Sequence, residues 1–147
     1  MMMKRLVAVL IVAGIAVGGT WACSGDSTSP SSIAGTYNLQ TIDGQSLPVV
    51  VFEEGTDKVE VMAGSMILNS DQTYSESVSF RITDGAIVTT DIEASAGSWT
   101  LSGSAITFTA TAGDNAGDTF LGSISGNTLT FIEALSGDDG VTLVLRK

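Results

Sequence analysis

The chain of 147 residues has no histidine, a single cysteine (Cys23) and only two prolines. Without imidazole it lacks the base of Ser-His-Asp and Cys-His catalysis, the commonest zinc ligand and the usual proton shuttle. With one cysteine, no disulfide can form within the chain. We therefore expect packing and backbone hydrogen bonds to hold the fold, and we predict no cofactor and no metal site.

Basic residues are also scarce. Six Lys and Arg residues stand against 16 Asp and Glu, a formal net charge of −10, and two of the six, Lys4 and Arg5, lie at the extreme N-terminus. A chain that loses those two carries four basic residues against 16 acidic ones, a net charge of −12. Such a surface repels phosphate backbones, which excludes nucleic acid as a partner. The acidity is explained most simply by solubility outside the cytoplasm.

Long apolar runs are missing too. The longest extends from Leu6 to Gly19, about 14 residues, whereas a membrane-spanning helix needs about 20. Lys4 and Arg5 precede this run, and small residues follow it up to Ala22. That plan is typical of an export signal, so residues 1–22 are predicted to be a cleaved signal peptide. A permanent transmembrane anchor is the less favoured alternative.

After the signal the chain divides into a polar segment and one domain. The stretch SGDSTSPSS, Ser24 to Ser32, offers no apolar side chain for burial, so residues 23–32 are predicted to be a flexible tether. The remaining residues, 33–147, are enough for one hydrophobic core and too few for two.

The domain shows the period of two that is typical of half-buried antiparallel strands. In TYSESVSFRI, for example, Tyr74, Val78, Phe80 and Ile82 share one face, with Ser and Arg81 on the other. The pattern predicts ten strands, of which two can merge or be irregular. They lie near 34–42, 48–53, 59–68, 73–83, 86–93, 97–102, 105–111, 118–125, 128–132 and 141–146.

Hairpin signals join these strands. Asp84-Gly85 is a favoured hairpin dipeptide, and Asn69 to Gln72 separates two strand-like runs. TLSGSAITF from Thr100 and SISGNTLTF from Ser123 echo each other as strand, Ser-Gly-x turn and strand, which indicates successive hairpins of one meander. The predicted class is all-β, an antiparallel up-and-down β-barrel of about eight to ten strands, because closure removes exposed edges. A two-sheet sandwich stays open, since the pattern does not separate the two folds.

Five stretches, taken in order, resemble the lipocalin-like domains of bacterial exported lipoproteins, which are relatives of the calycin barrels. They are IAGTYNLQTIDGQSLP, GSMILNSDQTYS, GSWTLSGSAITF, SGNTLTF and VTLVLRK. Calycin barrels open with Gly-x-Trp, whose indole closes one barrel end beneath a basic residue of the last strand. The resemblance implies such an end plug from Gly35, Tyr37 and Arg146, with Tyr in place of Trp. In the alternative interpretation Tyr37 is an ordinary core residue and Arg146 is solvated.

The resemblance also implies an interior that can take a small hydrophobic ligand, without saying which one. The candidate cavity-lining residues are the large apolar residues expected to face inward. An interior of this size can equally be filled by its own side chains, so a solid core is the alternative. The candidates are Tyr74, Phe80, Trp99, Phe108, Phe120 and Phe131.

Cys23 stands at the predicted cleavage point. TWAC resembles the end of a bacterial lipoprotein signal at Ala22 and Cys23, although Thr20 and Trp21 replace the usual Leu and small residue. An ordinary export peptidase would cut the same bond. The resemblance implies lipid attachment at Cys23, which makes the membrane a partner, and Ser24 after it implies an outer-membrane or cell-surface location. A free thiol in an oxidising compartment would be a liability, which also favours acylation.

Three acidic stretches, EEGTD, GDNAGD and GDDG, match no calcium-binding loop and are predicted to be ordinary turns. No pair of acidic residues stands out for carboxylate catalysis, so no catalytic residue is predicted and the chain is not expected to be an enzyme. The function predicted from the sequence is a membrane-anchored lipoprotein whose barrel binds a small apolar ligand. The alternative is a non-enzymatic structural or protein-interaction module of the cell envelope with a solid core.

Overall fold

The computed structural model of the chain describes residues 29–133 and 140–147. Cys23, the predicted signal peptide and most of the predicted tether lie outside the described residues, as does most of the GDDG stretch. The short helix α1 occupies Pro30–Ile33, so regular structure starts three residues before the predicted domain boundary at Ile33. In the part of the chain that the structure covers, no helix has the length and apolar character to cross a bilayer.

In the described part of the chain, ten strands follow α1, close to the predicted positions. The predicted strands at 86–93 and 97–102 merge into one, because Ala94, Ser95 and Ala96 continue the pairing with the preceding strand. The strands are β1 Gly35–Ile42, β2 Gln45–Ser46, β3 Val49–Glu54, β4 Asp57–Leu68, β5 Thr73–Asp84, β6 Ile87–Ser102, β7 Ala105–Gly113, β8 Thr119–Ser125, β9 Thr128–Glu133 and β10 Val141–Arg146.

The strands form a closed antiparallel barrel. Eight of them follow each other in the order β1-β10-β9-β8-β7-β6-β5-β4, and β4 pairs back with β1 through Gly35↔Leu68 to Asn38↔Ser65. The short strands β2 and β3 extend the sheet beside β1 and β4. Closure gives β1 and β4 hydrogen-bonding partners on both sides, which an open sheet would not. The predicted up-and-down barrel is therefore confirmed over the sandwich.

Alternate residues of the barrel strands point inward and form one core. On β5 the even-numbered residues from Tyr74 to Phe80 are buried, and on β9 the odd-numbered Leu129 and Phe131 are buried. The largest fully buried side chains are Trp99, Tyr37, Tyr74, Phe108, Phe131, Ile42, Met66, Leu68, Ile106, Leu129, Leu143 and Val61.

The two ends of the barrel differ. At the end where the described chain starts, here called the N-terminal end, α1 lies beside Gly35, the 69–72 turn and Lys147. At the opposite, distal end some strands continue beyond the barrel, because β6 pairs with β7 only from Ser95 onward. Similarly, β4 pairs with β1 only over its last residues and with β3 over its first. The extension, here called the distal sheet, consists of residues 49–54, 57–61, 79–84 and 87–94.

Candidate functional site

Four of the six predicted cavity-lining residues are in ring contact with one another. The rings of Phe108 and Phe120 stack with centroids 4.8 Å apart, and Tyr74 meets Phe108 edge-on at 5.2 Å. Phe131 lies 5.4 Å from Phe120 and 6.0 Å from Phe108. Such offset and edge-to-face arrangements are the favoured geometries of aromatic pairs. This aromatic cluster occupies the barrel interior, and Phe120 is its one partly exposed member.

The other two predicted lining residues lie apart from the cluster contacts. Trp99 is 1% exposed, and its indole Nε1 donates a hydrogen bond to the Thr73 carbonyl at 3.0 Å. Its backbone N–H donates to the Gln72 carbonyl at 2.8 Å, which ties it to the 69–72 turn at the N-terminal end. Phe80 lies in the distal sheet. The structure thus does not bring the six residues around one open cavity.

The predicted end plug is only partly assembled. Tyr37 is fully buried, and its hydroxyl donates to the Ile33 carbonyl at 2.7 Å, which holds α1 against the barrel. Arg146 is the cross-strand partner of Asn38, which faces outward, so Arg146 lies on the outer face while Tyr37 lies inside. The basic residue that reaches this end is Lys147, whose Nζ donates to the Ala34 carbonyl. A Cβ at Gly35, where φ is +148°, would overlap the Lys147 side chain.

A group of polar side chains inside the barrel was not predicted. Glu76 and Ser95 are 7% and 5% exposed, and the Ser95 hydroxyl donates to Glu76 Oε2 at 3.1 Å. Glu133 Oε1 accepts a hydrogen bond from Asn115 Nδ2 at 3.0 Å. Within the described ranges, Glu133 Oε2 and the Tyr74 hydroxyl are buried without a hydrogen-bond partner. We call Tyr74, Glu76, Ser95, Asn115 and Glu133 the interior polar group.

Burial dominates the electrostatics of this group. Burial, and then the charge of Glu133, raises the pKa of Glu76 to about 7. Burial also raises the pKa of Glu133, helped by the charges of Glu93 and Asp118 and opposed by the Asn115 hydrogen bond. The pKa of Tyr74 is raised as well, again chiefly by burial. Each of the two carboxyl groups therefore loses its proton at a higher pH than an exposed glutamate does.

The cavity beside this group is small. It measures about 10 Å³ and is lined by Glu76, Phe80, Ser95 and Glu133 among others. That volume is about the room for one water molecule, and a water there would supply hydrogen bonds to buried polar atoms. A larger depression of about 280 Å³ lies at the outer wall of β8 and β9, beside the exposed Leu121 and Ile132. Neither space is an apolar pocket inside the barrel.

A sequence signal for this group existed. The alternation that places Tyr74, Val78 and Phe80 on one face of β5 places Glu76 on that face too. Glu133 likewise follows Leu129 and Phe131 at the inward spacing of β9. A carboxylate in register with core residues is informative because such groups are rarely buried without partners.

Two of the three acidic stretches, EEGTD and GDNAGD, contribute hydrogen bonds to the fold. Asp57 Oδ1 accepts a hydrogen bond from the Gly85 N–H at 3.1 Å, and Asp114 Oδ2 accepts one from the Ala94 N–H at 2.9 Å. Among residues 29–133 and 140–147, no three His, Cys, Asp or Glu side chains are placed to hold a metal ion. Comparison with protein-family models and with curated proteins finds no match. The function is therefore inferred from the fold and from the packing of the barrel interior.

Proposed function

We propose that this chain is an exported lipoprotein, tethered to a membrane through Cys23, whose lipocalin-like barrel acts as a non-enzymatic interaction module of the cell envelope. The observation that carries this proposal is the filled interior. Tyr74, Phe108, Phe120 and Phe131 contact one another where a carrier would need a cavity. The cavity beside the interior polar group has room for about one water molecule.

The place where the described chain begins supports one orientation of the barrel relative to the membrane. Ser29 precedes α1, which Tyr37 holds at the N-terminal end of the barrel. The six residues from Cys23 to Thr28 can span at most about 20 Å. A lipid on Cys23 would therefore keep the N-terminal end close to the membrane, with the distal sheet directed away from it. Interaction surfaces of such a module are expected at the distal end, where a partner has access.

Carriage of a small apolar ligand, the alternative function, would require the side chains of this interior to rearrange. The stacked rings of Phe108 and Phe120 would have to separate, and their contacts with Tyr74 and Phe131 would be lost. Truncating one such buried aromatic side chain typically lowers the free energy of unfolding by about 3–5 kcal/mol, which indicates how much stability the lost ring contacts represent.

Fluorescence of Trp99 tests the filled interior. Trp21 precedes the predicted cleavage point, so a protein consisting of residues 24–147 has Trp99 as its single tryptophan. We expect a blue-shifted emission that does not change on titration with fatty acids of six to eighteen carbons or with 1-aminonaphthalene-8-sulfonate. A saturable response at one ligand per chain would overturn the filled-core proposal. The Phe108→Ala variant, checked for folding by circular dichroism, is the positive control, since the space it opens inside the barrel should admit small apolar probes.

A further inference from the structure

The first half of β6 is a free strand edge. From Ile87 to Ala94 this strand pairs on one side with β5, without a register shift. On its other side, β7 reaches only as far as the Ser95↔Gly113 pair. No strand of the described chain covers residues 87–93 on that side. An uncovered edge of this kind presents backbone donors and acceptors to any extended chain.

The hairpin fixes which backbone groups point outward. Gly85 and Ala86 form a two-residue turn, with Gly85 at φ +57°, so Asp84 and Ile87 are the closing hydrogen-bonded pair. By alternation, the N–H and C=O groups of Val88, Thr90 and Ile92 point away from β5. The Ile92 N–H donates to its neighbour Asp91 Oδ1 at 2.8 Å. The next such residue, Ala94, exchanges two hydrogen bonds with Asp114, and the uncovered part of the strand ends there.

The other edge of the distal sheet is less suited to pairing. Strand β3 has six residues, and its register with β4 shifts between Val50 and Phe52. Such irregularities bend an edge and interrupt its hydrogen-bonding pattern, which protects it against pairing with another chain. The edge of β6 has no such interruption over residues 87–94.

The side chains along the free edge differ between its two faces. Val88 and Ile92 are 61% and 66% exposed and share the outer face. Asp91 and Glu93 share the inner face, and Asp114 of the loop after β7 lies near Glu93. The basic residues of the distal sheet do not neutralise them, because Lys58 and Arg81 both lie against Glu60 on the outer face.

These contacts to Glu60 are short. Lys58 Nζ lies 3.3 Å from Glu60 Oε2, and Arg81 Nη2 lies 2.7 Å from the same oxygen. Along this edge the outer face therefore presents the exposed Val88 and Ile92. In the described part of the chain, the inner face presents two carboxylates, Asp91 and Glu93, without a basic neighbour, and the exposed Ile87 at its start. A strand that complements it needs apolar residues alternating with basic ones.

We propose that residues Ile87–Glu93 form a docking edge for an extended segment of a partner protein in which basic residues alternate with apolar ones. The segment would add one strand to the distal sheet, a known mode of peptide recognition. A second copy of this chain is a poorer occupant, since each copy without residues 1–22 carries a net charge of −12 and would bring its own Asp91 and Glu93 to the contact. The proposal rests on the proposed function as an interaction module, and it places the contact at the end away from the tether.

Synthetic peptides test this edge on the protein spanning residues 24–147. The probe is Lys-Val-Lys-Val-Lys-Val-Lys, whose valines would face Val88, Thr90 and Ile92 and whose lysines would face Asp91 and Glu93. The first comparison peptide has the same sequence with the three valine amides N-methylated, which removes the donors to the edge and keeps the charge. The second replaces every Lys by Glu. Binding is measured by isothermal calorimetry, and chain association is measured by sedimentation.

Variants of the protein complete the test. Thr90→Pro removes one outward N–H without taking a hydrogen bond from the β5 pairing. Leu121→Lys changes an equally exposed apolar residue on another wall of the barrel and is the matched control. We expect one Lys-Val peptide to bind per chain. Relative to that complex, the affinity should be about tenfold or more lower for Thr90→Pro and for the N-methylated peptide. The Glu-Val peptide should not bind. Leu121→Lys should bind the probe as the unmodified protein does.

Three results would overturn the proposal. The first is that the probe does not bind. The second is that the N-methylated peptide binds equally well, which would indicate attraction to the acidic surface without strand pairing. The third is a stable dimer that Thr90→Pro dissociates. None of them bears on the filled interior, which the Trp99 titration tests separately. Failure of the docking edge is therefore distinguishable from failure of the proposed function.

Discussion

At the scale of single residues, Glu76 is predicted to make the stability of the fold depend on pH. Its folded pKa, about 7, lies above the ordinary value of 4.5, so the folded state binds more protons than the unfolded state between these values. The free energy of unfolding therefore falls as pH rises from about 4.5 to about 7, and the loss is complete above that range. Glu76→Gln should raise the unfolding free energy at pH 8 by about 1–3 kcal/mol and flatten its decrease with pH.

Urea unfolding at pH 5 and pH 8 measures this effect. Some dependence should remain in Glu76→Gln, because burial raises the pKa of Glu133 too. Glu54→Gln, at an exposed position in β3, is the control and should leave the pH dependence as it was. Stability that increases between pH 5 and pH 8 in the unmodified protein would contradict the burial of Glu76.

Two buried tyrosines provide a matched pair of substitutions. The Tyr37 hydroxyl donates to the Ile33 carbonyl, whereas the Tyr74 hydroxyl has no hydrogen-bond partner within residues 29–133 and 140–147. Tyr37→Phe leaves the Ile33 carbonyl without its donor and should reduce the unfolding free energy by about 1 kcal/mol or more. Tyr74→Phe removes an unsatisfied group and should be neutral or slightly stabilising. Equal losses in urea unfolding would contradict the hydrogen-bond assignment.

At the scale of secondary-structure elements, the aromatic cluster joins β5, β7, β8 and β9. Phe108 contacts Tyr74, Phe120 and Phe131 and is fully buried. Phe108→Ala should lower the unfolding free energy by about 3–5 kcal/mol. Leu121→Ala, on the exposed side of β8, should stay within about 0.5 kcal/mol of the unmodified protein. A similar small loss for both, measured by urea unfolding, would show that Phe108 is not packed as the structure indicates.

The strands themselves could be predicted because their signals are local. Alternation predicts β5, and Asp84-Gly85 predicts the turn into β6 to within one residue, since Gly85 and Ala86 form that turn. The merging of two predicted strands into β6 depends on Ala94 to Ala96, small residues whose sequence resembles a loop and whose strand geometry comes from pairing with β5. The place of Arg146 on the outer face agrees with the alternation of β10, whose Leu143 and Leu145 are buried, and with its register against Asn38.

At the scale of the whole molecule, closure of the barrel could be argued from the sequence only through the need to cover edges. The contact that achieves it pairs Gly35 with Leu68, residues far apart in the chain. Whether the interior is open or filled was beyond sequence reasoning, because the same inward aromatic residues suit either state. Their ring contacts decide it, since Phe108 and Phe120 stack at 4.8 Å. The free edge of β6 was equally hidden, because it arises where β7 ends.

The central claim, a lipid-tethered barrel with a filled interior, is tested most directly by the mass of the mature protein. The protein is extracted from membranes in detergent and measured by native mass spectrometry, followed by denaturing mass spectrometry of the same sample. We predict a chain from Cys23 to Lys147 carrying the added mass of a diacylglycerol-type modification, with no further small molecule retained under native conditions. An unmodified mass, or a stoichiometric apolar compound released on denaturation, would contradict the claim.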